Sequence, residues 1–120
     1  MGDYRKLHVW ERSHMLVLDV YGVAAAFPKH QLFGLTGQLR RSATSIPANI
    51  AEGCGRNSDG ERARFMNIAM GSASELDYHL RLARDLGYLP PTQYGRMSME
   101  VQGISKMLAT FVNRLRKFKS

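Results

Sequence analysis

Residues 92–118 read TQYGRMSMEVQGISKMLATFVNRLRKF. Within them Met97, Val101, Ile104, Leu108, Phe111, Leu115 and Phe118 recur at alternating intervals of four and three. That is heptad spacing without a miss. It predicts a helix from about Thr92 to Phe118, packed nearly parallel to its neighbours with a slight left-handed supercoil. Pro90-Pro91 stands before it and blocks any continuation from the preceding element.

Working outward, the same period recurs upstream. A third helix is predicted from Ser58 or Asp59, either a good N-cap with Glu61 in the first turn, to Gly87, a good C′ residue. Its apolar stripe is Phe65, Ala69, Ser72, Leu76, His79, Ala83 and Leu86, and Gly71-Ser72-Ala73-Ser74 predicts a close approach by another backbone. A second helix is expected from near Thr36 to Gly53 with a stripe of Leu35, Leu39, Ala43, Ile46 and Ile50. Pro47 lies inside it, lacks a backbone donor and crowds the Ala43 carbonyl. Either one bent helix or two short ones would satisfy that stretch. The first helix is expected from Leu7 to Phe27, on Leu7, Trp10, His14, Val17, Tyr21 and Ala24. Met15, Leu18, Gly22 and Ala25 widen its face enough for two neighbours. No window alternates with period two. The fold class is therefore all-α: a single up-and-down antiparallel four-helix bundle over residues 1–120, with a proline-kinked second helix.

Length and composition agree. The chain has 120 residues, 44% of them apolar, enough for one modest core. One cysteine excludes a disulfide framework and a structural zinc site, and fits a reducing compartment. The longest apolar stretch, Met15 to Phe27, is too short for a membrane span and contains Asp19. No secretory pattern is present, and a soluble, cytoplasmic protein is expected.

Charge points toward acidic partners. Seventeen Lys and Arg against ten Asp and Glu leave +7, of which residues 1–90 supply +2 and residues 91–120 the other +5. After Glu100 there is no acid, only Lys106, Arg114, Arg116, Lys117 and Lys119. Two readings stand: cations complementing the negative end of the last helix, or a polyanion site. A second group is Arg40-Arg41, Asn49, Glu52, Arg56 and Glu75. It reads as a paired network, inside the bundle or between subunits, or as an arginine cluster for phosphate.

Catalytic patterns fail on counting. A di-iron bundle needs two Glu-x-x-His pairs, and only Glu11-Arg12-Ser13-His14 matches; Glu75 and His79 are four apart. His14 and His79 fall on apolar stripes and read as hydrogen-bonded core histidines. No phosphate loop occurs, and nothing positions a base for Cys54. No enzyme activity, metal or cofactor is expected.

From Phe33-Gly34-Leu35 onward the sequence resembles the 23S rRNA-intervening-sequence proteins, a bacterial four-helix bundle family. LHVWERS, FPKHQLFGLTGQLRRSATSIPANIAEGCGR, ERARFMNIAMGSASELDYHLRLARDLGYL and ISKMLATFVNRL carry the likeness, and Ser45 to Gly53 (SIPANIAEG) is its most specific part. His79 and the methionines Met66, Met70, Met97 and Met99 depart from the pattern. The resemblance implies a non-enzymatic, often homopentameric protein. It extends to the accessory variability protein of diversity-generating retroelements, a basic pentamer that engages nucleic acid and a reverse transcriptase. A homo-oligomeric, pentameric basic bundle that binds nucleic acid, RNA ahead of DNA, through phosphate contacts is thus the expectation. The contact residues would be Arg40, Arg41, Arg56, Arg62, Arg64, Arg114, Arg116, Lys117 and Lys119. The alternative is a protein-interaction scaffold holding an acidic partner such as a reverse transcriptase.

Overall fold

The computed structural model describes residues 2–117 and contains four long helices: α1 (His8–Ala24), α2 (Leu35–Cys54), α3 (Asp59–Asp85) and α4 (Pro91–Lys117). Short 3-10 turns at Tyr4–Lys6 and Lys29–Gln31, which the sequence reading did not anticipate, precede α1 and α2. Among the described residues there are no strands. The helices form an elongated bundle measuring 48 × 22 × 20 Å, with α2 and α3 packed together, α3 against α4, and α1 against both α2 and α4.

Element ends follow local chemistry. Ser58 caps α3, its hydroxyl accepting from the Glu61 amide at 3.2 Å, with Asp59 and Glu61 in the first turn. Gly87, just past the end of α3, takes φ +81°, a left-handed conformation that glycine adopts without a Cβ clash. Leu7 gives α1 no side-chain cap. α2 continues through Pro47, so the alternative of two short helices does not hold.

The core confirms some stripes and shifts others. On α4, Met97, Val101, Ile104, Leu108 and Leu115 are buried and Phe111 half-buried, while Phe118 lies outside the described residues. The α2 stripe of Leu35, Leu39, Ala43, Ile46 and Ile50 is buried throughout. On α3 the buried set is Ala63, Met66, Ala69, Ala73, Leu76, Leu80 and Ala83; Phe65, Ser72 and His79 lie at its edge and Leu86 is exposed. α1 departs most. Val9, Ser13, Leu16, Val17, Val20 and Ala24 face inward, and Met15, Leu18, Gly22 and Ala25 face outward. His14 is therefore not a core histidine. It is exposed and stacks on Trp10, ring centroids 5.0 Å apart. Ser13 takes the buried place because its hydroxyl can donate to the Trp10 carbonyl at 2.8 Å.

Close approach occurs at Gly53 and also in the small-residue run of α3, where the Ser72 hydroxyl bonds that of Ser45 on α2 at 2.7 Å and Ala73 is fully buried. A Cβ on Gly53 would meet Phe65 Cβ at 3.0 Å and the Arg62 carbonyl oxygen at 3.4 Å. Gly71 is exposed, with nothing within 4 Å of such a position.

Candidate nucleic-acid interface

The bases singled out by sequence do not form one patch. Arg40 leans from α2 toward α1, its guanidinium carbon 4.9 Å from the centre of the Tyr21 ring, and lines a cavity of about 290 Å³ with Ala24, Phe27 and Thr36. Arg41 is exposed and lies on the α3 side, close enough to His79 to disfavour its protonation. Burial is the larger cause of the lowered His79 pKa, and Glu75 acts against it. His79 Nδ1 sits 3.3 Å from the Ser42 hydroxyl.

That contact belongs to a polar seam between α2 and α3. Ser45 and Ser72 share a hydroxyl–hydroxyl bond at 2.7 Å, and the Asn49 amide donates to the Ser45 carbonyl at 2.8 Å and its hydroxyl at 2.9 Å. The hydroxyl and amide part of the suspected network thus lies within the bundle.

Toward the α2–α3 turn the arginines are paired. Arg56 bridges Glu52 at 3.0 Å, Arg62 bridges Asp59 at 2.9 Å and Arg64 bridges Glu61 at 2.9 Å. The Arg64 hydrogen bond holds the Glu61 carboxyl below its ordinary pKa. Arg56 and Arg64 also lie 4.6 Å and 4.5 Å from the centre of the same Phe65 ring. This end is rich in guanidinium but close to electrically neutral. Sequence reasoning grouped Arg56 with Glu52 in a paired network but did not pair Arg62 with Asp59 or Arg64 with Glu61, although a spacing of three on a helix is the signal for such pairs.

The last turns of α4 differ. Arg114, Arg116 and Lys117 are exposed, and Lys119 lies outside the described residues. Arg114 turns toward α1, lining a groove of about 280 Å³ with Leu7, His8 and Phe111. Arg116 turns toward α3, lining a cavity of about 270 Å³ with Asp59, Gly60, Arg64 and Asn67. Among the described residues, Arg40, Arg41, Arg114 and Arg116 have no ion-pair partner.

Two further ion pairs join α1 to α4: Arg12 to Glu100 at 2.5 Å and Arg96 to Asp19 at 2.6 Å. They border a groove of about 680 Å³ that includes exposed Met15 and Leu18. Arg12 lies over Gly103, where a Cβ would come within 2.8 Å of its guanidinium carbon. Cys54 is buried, and burial raises its thiol pKa, opposite to what a nucleophile needs. No three of the described His, Cys, Asp and Glu converge as metal ligands, and no helix among the described residues is long and apolar enough to cross a membrane.

These features define an all-helical bundle in which some arginines are ion-paired and others are not. The family model of the 23S rRNA-intervening sequence protein matches residues 5–110, and the chain belongs to that family. Among solved structures it is similar to a protein of unknown function from the S23 ribosomal protein family of Bacteroides thetaiotaomicron. The identity is 28% and the TM-score 0.81, over 87% of this chain and 97% of that one. Curated proteins give no match.

Proposed function

We propose that the protein is a non-enzymatic homo-oligomer, pentameric on the family resemblance, that binds nucleic acid, RNA foremost, through phosphate contacts. Its bundle is a single domain read as up-and-down and antiparallel. Partner order supports this: Ser42 and Ser45 meet His79 and Ser72, and Arg12 and Asp19 meet Glu100 and Arg96, each pair of helices counting in opposite directions. A bend in α2 at Pro47 follows from its missing donor.

The observation that carries the function is the set of bases without carboxylate partners. Arg114 and Arg116 project from the end of α4 beside Lys117, on a stretch with no acid after Glu100. Arg40 and Arg41 supply a second group on α2. Arg56, Arg62 and Arg64 drop from first place as phosphate ligands, because Glu52, Asp59 and Glu61 would repel a phosphate at short range.

Self-association is supported by the outward stripe of α1. Met15, Leu18, Gly22 and Ala25 recur at three and four residues and are exposed, with Tyr21 and, on α4, Met99 also exposed. Segment 1–28 carries no net charge in a chain of +7. Two copies can therefore meet there with little repulsion, leaving the basic surfaces outward. Mobility-shift titration against mixed RNA at two salt concentrations tests the reading. Binding that weakens steeply with salt is expected, and absence of binding at low salt overturns it.

A further inference from the structure

The guanidinium-rich end near the α2–α3 turn is poorly suited to phosphate, yet it gathers flat groups around one aromatic ring. Arg56 and Arg64 both lie on Phe65, at 4.6 Å and 4.5 Å from its ring centre. Each is fixed by its own carboxylate, Glu52 or Glu61, and each stays substantially exposed, 41% for the Arg56 side chain and 55% for Arg64. Arg64 has a second neighbour. Besides lying on Phe65 it lines the cavity of about 270 Å³ between the first turns of α3 and the last turns of α4. Arg64 thus touches both the Phe65 ring and the cavity, which Phe65 itself does not line.

We propose that this cavity receives an unpaired nucleobase of a single-stranded nucleic acid, stacked on the Arg64 guanidinium and enlarging the Arg56–Phe65–Arg64 cluster by one flat group. The proposal rests on the nucleic-acid reading above and adds the mode and the strand class. Three features of the cavity fit a base better than a phosphate. A guanidinium plane stacks on any base face. The Asn67 amide on its rim can both donate and accept, and Asp59 carries carboxylate oxygens that accept from ring N–H and exocyclic amino groups. Those same carboxylate oxygens oppose a phosphate. On the α4 side of the same cavity, Arg116, with no ion-pair partner among the described residues, is the group that can meet the nucleotide's phosphate. A base held inside a duplex cannot enter, so the site distinguishes unpaired from paired strands.

Arg64→Lys tests this. Lysine keeps the charge and can keep the Glu61 pair, but has no plane to stack on. Fluorescence anisotropy is measured for the wild-type chain and the variant with a labelled 12-mer of oligoadenylate, the same strand in a duplex, and labelled heparin. Circular dichroism checks the fold. The expected result is a preference of the wild type for the single strand, and about a tenfold loss in the variant for that probe alone, as one base stack is removed. Phe65→Leu, which keeps an apolar side chain against Gly53, loses affinity for the same probe. If the wild type binds the single strand and Arg64→Lys binds it equally well, the stacking site is overturned while the nucleic-acid reading stands. If all three probes lose affinity equally in the variant, Arg64 acts only as a charge and the proposal is again overturned. A wild-type chain that binds neither nucleic acid at low salt overturns both readings together.

Discussion

Two glycines show how little a residue's identity says without its surroundings. Gly53 and Gly71 both sit inside helices, and both cost helix propensity relative to alanine. Gly53→Ala forces a methyl against the Phe65 Cβ and the Arg62 backbone and is expected to destabilise the fold by about 1–3 kcal/mol. Gly71→Ala enters open space and is expected to stabilise it by about 0.5–1 kcal/mol. Urea unfolding of the two variants checks both signs. The Arg12–Glu100 pair makes a pH-dependent case. The Arg12 hydrogen bond holds the Glu100 carboxyl below its ordinary pKa, so its stabilisation is present above the unfolded-state value and is lost as pH falls through the lower folded value. Both side chains are about one-third exposed, so screening keeps the pair's worth at about 1 kcal/mol or less. Glu100→Gln should then be less stable than wild type at pH 7, and the gap should close by pH 3. His79 adds a slope at higher pH. Burial keeps it neutral in the fold, the unfolded chain takes up the proton first, and stability declines as pH drops below the ordinary histidine range. Glu75 and Arg41 face it with opposite effects, and His79→Gln should flatten stability between pH 7 and 5 by urea midpoint.

Among the elements, α4 and α2 were largely legible because large aliphatic side chains mark one face and polar ones the other, although Thr36, expected at the start of α2, is buried inside it behind Gly34. α3 was legible in extent and partly in phase: Ala69, Leu76 and Ala83 are buried as predicted, whereas buried Ala63 and Ala73 do not differ in type from alanines that face water, such as Ala109. Phe65 drew the predicted stripe one residue toward the arginines it supports. α1 misled for a sharper reason: it carries two apolar faces and hides Ser13 in the one that packs. Sequence alone cannot say which face meets its own bundle and which meets something else. It did say that two neighbours were needed, and α2 and α4 are those two, while the stripe of Met15, Leu18, Gly22 and Ala25 stays exposed. The remaining stripe should therefore govern assembly without governing folding. Leu18→Glu is expected to leave helical content and unfolding midpoint within about 0.5 kcal/mol of wild type, since Leu18 is 54% exposed. It is expected to lower the solution mass by light scattering. An unchanged mass would place the self-docking surface elsewhere.

At the level of the whole molecule, the surplus of positive charge was legible and its disposition was not. Ion pairs between residues 12 and 100 or 19 and 96 join positions too distant in sequence for spacing to reveal. The local pairs of Arg56, Arg62 and Arg64 were within reach of spacing, and Arg41, Arg114 and Arg116 are among the exposed bases outside the ion pairs, with Arg40 half-buried. This sorting has a measurable signature. Each phosphate neutralised releases counterions, so the slope of log affinity against log salt counts the contacts. Arg114→Gln with Arg116→Gln should weaken RNA binding and reduce that slope by about 2. Arg56→Gln should leave the slope nearly unchanged, because its carboxylate partner already balances its charge. A ring of several copies multiplies the effect, since one strand then crosses several α4 ends, and the slope lost per chain should grow with the number of copies it touches. Coupling the Leu18→Glu change to the same titration separates the two contributions. A dissociated chain that retains Arg114 and Arg116 should bind RNA more weakly and with a shallower slope than the assembly, and an identical slope would show that each bundle binds alone.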